Sequence, residues 1–125
     1  MKVLLLLSTV FLVTSCAHLK SGPVECGEPP EYTGEKNLEV AEPIKVTAAP
    51  YPKRQAYKKQ SGWVKVYFKV NEHGKAYDLR FGESCPGDAF KRTVAKTIPK
   101  WHFEPQYGEA SKQELSYTMT FSFEK

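Results

Sequence analysis

Two stretches of the sequence alternate between apolar and polar residues so regularly that they require a β-sheet with one apolar face. They lie at residues 63–70 and 114–123. Successive side chains of a strand point to opposite faces, so each stretch turns one apolar row toward a core. The polar rows predict that the other face of the sheet meets water. The apolar rows are Val64, Val66, Phe68 and Val70, and Leu115, Tyr117, Met119, Phe121 and Phe123.

Before and after the first of these strands the sequence predicts a short helix and a hairpin. Pro52 is suited to start a helix over residues 53–60, which Ser61 and Gly62 end. The turn at residues 71–74 includes Gly74, which is free to take a positive φ, and leads to a returning strand at residues 75–81. Residues 82–87 are expected to form a loop.

A second helix is predicted from apolar residues at helical spacing, which are Phe90, Val94, Ile98 and Trp101. Asp88 is expected to cap its N-terminus, and Pro99 to end or kink it near Ile98. A short alternation at Ile44 and Val46 would add an edge strand. The predicted fold class is α+β, with two helices packed on one face of a three- to four-stranded antiparallel sheet.

The first residues are typical of a secretory signal. Lys2 precedes an apolar stretch at residues 3–13, which is shorter than the ~20 residues that a membrane-spanning helix needs. Val13, Thr14, Ser15 and Cys16 resemble the lipobox of bacterial lipoproteins, which implies a signal peptide at residues 1–15 and a lipid on Cys16. The alternative is ordinary cleavage after Ala17, with loss of Cys16. Ala17 stands where retention signals of lipoproteins have Asp, which implies transfer to the outer membrane.

The mature chain divides into an acidic Pro/Gly-rich tether at residues 16–42 and a domain at residues 43–125. Residues 16–49 carry six acidic and three basic residues, whereas residues 50–125 carry eight acidic and fourteen basic residues. The composition of the tether is typical of an extended linker. The basic domain suits anionic lipid or acidic proteins, and export argues against nucleic acid. A solvated surface without a specific partner is the alternative.

The number of cysteines predicts a disulfide bond. Acylation of Cys16 would leave Cys26 and Cys85 in an oxidising compartment with no other thiol to pair with. A bond between them would close a loop of about sixty residues and attach the tether to the domain. The alternative is two unpaired thiols, or cysteines too far apart to bond.

Read together, these segments resemble the C-terminal domain of the TonB family. The resemblance covers about 75 residues and includes a sequence that corresponds to the family's Trp-x-Phe-x-Pro motif. Here the anchor would be a lipid rather than a membrane helix, which leaves nothing to couple to the motor proteins that energise TonB. The residues that carry the resemblance are Tyr51, Pro52, Ala56, Gly62, Gly74, Leu79, Phe81, Phe90, Arg92, Trp101, His102, Phe103, Glu104, Pro105 and Gly108, with the two alternating strands.

The resemblance implies a partner-binding strand at the C-terminal end of the chain. In the family the last strand is an exposed edge that accepts an extended peptide through main-chain hydrogen bonds. The alternative is a core strand with an unused edge. The strand comprises Gln113, Glu114, Leu115, Ser116, Tyr117, Thr118, Met119, Thr120, Phe121, Ser122 and Phe123.

No pattern of catalytic or metal-ligating residues is present in the sequence, so we expect no enzyme activity, cofactor or metal. Trp63 and Tyr67, on the outer face of the first strand, would bind a sugar or peptide or would pack under the tether. The predicted function is a lipid-anchored periplasmic module that captures an extended segment of an envelope protein, for example a TonB-dependent transporter. The alternative is a structural or assembly lipoprotein whose basic domain contacts anionic surfaces and which has no peptide groove.

Overall fold

The computed structural model of the chain describes residues 22–29 and 38–123; the predicted signal peptide and Cys16 lie outside them. None of the helices in these ranges is both long enough and apolar enough to cross a membrane. Short 3-10 helices lie at Ile98–Lys100 and Gly108–Lys112. The regular elements are β1 (Pro43–Lys45), α1 (Lys53–Tyr57), β2 (Gly62–Val70), β3 (Ala76–Cys85), α2 (Lys91–Thr97), β4 (His102–Phe103) and β5 (Leu115–Phe121).

The central sheet has three antiparallel strands in the order β3-β2-β5, which confirms the predicted α+β class. The alternation at Ile44 and Val46 predicts an edge strand, but β1 does not join the central sheet. It pairs instead with β4, so that Pro43 lies opposite Phe103. The second sheet therefore has two short strands, and it holds the segment before the domain beside the Trp-x-Phe-x-Pro motif.

The core lies between the apolar face of the sheet and α2, as the alternation predicted. Val64, Val66 and Phe68 are fully buried, and Thr93, Val94 and Thr97 of α2 are buried opposite the sheet. Phe90 stacks on Phe121 with ring centroids 4.3 Å apart. α1 contributes no fully buried residue. The remaining core members are Ala41, Val70, Phe90, Ile98, Trp101, Phe103, Met119 and Phe121.

Two element boundaries differ from the prediction. α1 is three residues shorter than predicted, because Lys59 takes a left-handed φ of 55° and turns the chain away. β3 continues to Cys85, where the sequence predicted a loop. It can do so because its register to β2 shifts twice, and at each shift β3 contains one residue more than β2.

The start and the end of the second helix are built differently from the prediction. Asp88 does not cap α2; the N-cap is Phe90, which has no side-chain capping bond, and Asp88 forms an ion pair with Lys91 at 2.7 Å. Pro99 ends the α-helix as predicted, but Trp101 then lies in extended backbone beyond the 3-10 helix. Trp101 is nevertheless buried, because its side chain lies in the core below the sheet.

The outer face of β2 does not meet water, contrary to the prediction. Trp63, Lys65 and Tyr67 are each only 7% exposed. β2 is the central strand, so long side chains from both neighbours can cover it. The guanidinium of Arg80 lies 4.2 Å from the centroid of the Tyr67 ring, and a Cβ added at Gly82 would come within 2.6 Å of the same ring.

Candidate strand-binding site

β5 forms an outer edge of the central sheet, and its first outward position is already paired. Its register to β2 is constant over seven residue pairs. On the other side, the Ser116 N–H donates to the Glu39 carbonyl at 3.0 Å, and the Ser116 carbonyl accepts from the Ala41 N–H at 2.8 Å. Val40 and Ser116 thus form a short parallel bridge. This chain's own residues 39–41 occupy the beginning of the edge.

The next outward positions of β5 are Thr118 and Thr120. The N–H and C=O of a strand residue point to the same side, and this side alternates along the strand. Because the main-chain groups of Ser116 point away from β2, those of Thr118 and Thr120 do too. Among the described residues, neither forms an outward backbone hydrogen bond. These two residues are therefore the open part of the edge.

A groove of about 380 Å³ flanks this open edge on the core side, and we call it the inner groove. Residues 46–49 form one wall, and Tyr117, Met119 and Phe121 form the other. The Trp101 indole fixes both walls, because its Nε1 donates to the Thr47 carbonyl at 2.8 Å and its ring packs edge-on against Tyr117. The inner groove is thus lined largely by apolar and aromatic surface.

A second groove, of about 370 Å³, flanks the same edge on the opposite face, and we call it the outer groove. Residues 26–29 form one wall; Trp63 and Thr120 belong to the other. The wall is held by a disulfide bond between Cys26 and Cys85, whose Cα atoms are 5.6 Å apart. The buried Trp63 Nε1 has no hydrogen-bond partner within the ranges that the structure covers.

The side chain of Gln60 gives this wall a second attachment. Its Oε1 accepts from the Val24 N–H at 2.7 Å and its Nε2 donates to the Val24 carbonyl at 2.8 Å, so the amide acts as a backbone partner would. The Gln60 carbonyl accepts from the Tyr51 hydroxyl. Burial raises the pKa of Tyr51, which keeps this donor protonated. The polar residue Gln60 is 4% exposed, and the sequence contains no signal of its partner 36 residues away.

A third groove, of about 420 Å³, is basic and lies away from the edge of β5. It is lined by residues at the start of α1 and along α2, together with Tyr51 and Pro52. Such a concentration of positive charge suits an anionic surface. Its basic residues are Lys53, Arg92, Lys96 and Lys100.

Only some of the predicted partner-binding residues lie within β5. Leu115 to Phe121 form β5, whereas Glu114 pairs with Arg80 before the strand and the Phe123 N–H donates to Ser61 Oγ at 3.2 Å after it. The predicted lipidation site, Cys16, lies outside the described residues. Within those residues, no group of three or more His, Cys, Asp or Glu side chains could hold a metal ion.

The arrangement of the domain is that of a known family. The family described as Gram-negative bacterial TonB protein C-terminal matches residues 47–124, which is more than half of the chain. The chain belongs to this family. The resemblance noted in the sequence is thereby confirmed. The matched part does not include residues 22–29 and 38–46, which contribute to the outer groove and the Ser116 bridge.

Two TonB proteins are similar in sequence over the same region. The chain is 34% identical over 95 residues to Protein TonB of Yersinia enterocolitica and 28% identical over 95 residues to Protein TonB of Pseudomonas aeruginosa. Each alignment covers 74% of this chain but only 34% and 28% of these relatives. The chain therefore spans about a third or less of the length of the curated relatives it matches.

Solved structures of TonB domains show the same fold. The solution NMR structure of the Pseudomonas aeruginosa TonB C-terminal domain has a TM-score of 0.56 and 27% identity, with 71% of this chain and 92% of that chain covered. The TonB2 protein of Vibrio anguillarum has a TM-score of 0.54 at 22% identity, with 82% and 99% covered, and supports the fold alone.

Proposed function

We propose that this TonB-family chain is a lipid-anchored periplasmic module that captures an extended segment of an envelope or transport protein without catalysing a reaction. The observation that carries the proposal is the open edge at Thr118 and Thr120, which offers two N–H and two C=O groups to an added strand. Main-chain pairing of this kind provides affinity with little dependence on sequence. Membership of the TonB family supports a transporter as the partner.

The proposal is tested by removing one backbone donor from the edge. Thr118→Pro deletes an N–H that points away from β2, whereas Thr118→Ala keeps it. Proline is tolerated at such an outward edge position, so we expect the circular dichroism spectrum of Thr118→Pro to stay that of the wild type. Captured partner should fall at least about tenfold for the proline variant, since a lost bond leaves a partner carbonyl unpaired.

The measurement starts from a partner recovered from envelope extract and identified by mass spectrometry, and it compares the two variants in a binding assay with purified components. Equal affinity of a folded Thr118→Pro and of Thr118→Ala for that partner would exclude strand addition at this edge.

The anchor has its own test. Cys16→Ala should abolish fatty-acid labelling and release the protein from the membrane fraction, because no acyl chain would then hold it. Unchanged labelling and fractionation would show that Cys16 is not the lipidated residue.

The basic groove supports a second candidate function, in which the domain contacts an anionic surface. Binding to anionic vesicles should then weaken steeply with salt and fall in an Arg92→Glu and Lys96→Glu double variant. Peptide capture through backbone bonds should survive moderate salt and the same two substitutions. The salt dependence therefore separates the two candidates.

A further inference from the structure

We infer that the segments preceding the family domain restrict the strand-binding site to a short extended peptide of about five residues, with apolar side chains toward the inner groove and basic ones toward the outer groove. This inference rests on the proposed function and specifies the class of its partner. The evidence is the position of residues 22–29 and 39–41, none of which belongs to the part that the family matches.

One end of the site is closed by a strand of the chain itself. An incoming strand that starts before Thr118 would need the N–H and C=O of Ser116, and both are bonded to residues 39–41. Ala41 is 4% exposed and belongs to the core, which anchors residues 39–41 at this position. A guest strand therefore begins to pair only at Thr118.

The other end is walled on the outer face. Residues 26–29 line the outer groove together with Thr120 and Ser122, where β5 ends, and the disulfide to Cys85 and the clamp of Gln60 on Val24 keep them there. Thr118 and Thr120 thus supply the paired positions, and pairing with two outward residues of an edge occupies about five guest residues.

The two grooves determine which side chains the guest carries. Side chains of a strand alternate between faces, so those of the guest enter the inner and outer grooves in turn. The inner groove presents Val46, Tyr117 and Met119, which suit an apolar side chain. The outer groove is lined by the acidic residue Glu28, whose negative charge suits a lysine or arginine.

The experiment titrates the full mature chain with blocked peptides of alternating valine and lysine, five or nine residues long, and follows the backbone amide signals of Thr118 and Thr120 by NMR. In the wild type, the nonapeptide should bind no more than about threefold tighter than the pentapeptide, the gain expected from its three equivalent five-residue registers alone. A peptide of alternating valine and glutamate should bind more weakly.

Ala41→Pro should open the closed end, because it removes the N–H that bonds to Ser116. The nonapeptide should then gain at least about a further fivefold, because the Ser116 carbonyl is freed for the guest strand, while the pentapeptide is unchanged. Val40→Pro is the matched control, since the N–H of Val40 makes neither bridge bond and its loss should leave both affinities unaltered. If the proline variant does not fold, Ala41→Gly replaces it in the test. This substitution keeps the N–H but removes a buried methyl group, and it should change the nonapeptide affinity in the same direction, more weakly.

The outcomes separate this inference from the proposed function. Signals of Thr118 and Thr120 that respond to neither peptide in any variant would overturn both. Two other outcomes would overturn the length limit and leave strand addition at Thr118 and Thr120 intact. In the first, the nonapeptide already binds the wild type more than about tenfold tighter than the pentapeptide does. In the second, Ala41→Pro and Val40→Pro have equal effects on peptide affinity.

Discussion

The β3 edge of the sheet contains two extra residues and three charged side chains, whereas the β5 edge keeps one register over seven residue pairs and has no charged residue between Leu115 and Phe121. Bulges and charges are the usual protection of an edge against pairing with another chain. Asp78, in a left-handed conformation with φ of 51°, marks one of the irregular positions of β3. One edge is thus protected by its own sequence, while the other stays regular and is covered only in part, by residues 39–41.

The largest effect is expected at the core support of the β5 edge. Trp101→Ala should lower the free energy of unfolding by ~3–5 kcal/mol, because it empties a buried site and frees the Thr47 carbonyl. Urea unfolding measures the loss, and amide hydrogen exchange should show the β5 side opening before the β3 side. Trp101→Phe, which keeps a ring, should lose less. A melting temperature within about two degrees of wild type for Trp101→Ala would contradict the packing described.

The disulfide connects the end of β3 to the wall beside the end of β5. A Cys26→Ser and Cys85→Ser double variant should be less stable by ~2–4 kcal/mol, because a loop of about sixty residues is no longer closed in the unfolded chain. Reduced wild type should match the variant in urea unfolding, which is the control. Free thiols at both positions in fresh periplasmic protein would show that the bond does not form there.

The irregularity of β3 between Phe81 and Ser84 leaves no room for a side chain at Gly82. Gly82→Ala should cost ~1–3 kcal/mol, since the added methyl group would meet the Tyr67 ring at 2.6 Å. Thr120→Ala, at an exposed position of β5, is the matched substitution and should change stability by less than ~0.5 kcal/mol. Equal thermal unfolding of the two variants would mean that the β3 edge is as adaptable as the β5 edge.

The smallest effect is expected where the two edges are joined across β2. Arg80 of β3 donates from Nε to Glu114, just before β5, at 2.7 Å, and its guanidinium lies over Tyr67. Arg80→Ala should cost only ~0.5–1 kcal/mol, because the Arg80 side chain is 58% exposed and solvent screens the pair. High salt should shrink the difference from wild type. A loss that does not depend on salt would assign the effect to packing on Tyr67 instead.

The sequence predicted the elements whose signal is local. The alternation at residues 63–70 and 114–123 correctly assigns the core face of β2 and β5, and Pro99 ends α2 where its missing N–H requires. Alternation reports the side of a strand but not its place in the sheet. Lys65 is therefore buried, against expectation, because β2 is the central strand.

The parts that the sequence did not predict depend on distant contacts. Ala41 joins the core through residues far along the chain, and nothing in an acidic, Pro-rich segment indicates that it will pair with Ser116. Trp101 lies in the core, as its spacing predicts, but it follows the 3-10 helix in extended backbone and does not belong to α2. β5 was therefore easier to predict from the sequence than the residues 39–41 that pair with its beginning.

The clamp of Gln60 on Val24 shortens the length of free chain between the domain and the bilayer. A segment from Cys16 to residue 49 with no attachment to the domain could extend to ~115 Å. With the lipid on Cys16, as proposed, and Val24 fastened to Gln60, only eight residues separate the membrane from the fixed point, a distance of at most ~28 Å. The domain would then stay close to the membrane that holds its lipid. Any partner would have to present its segment near that membrane surface rather than deep in the periplasm.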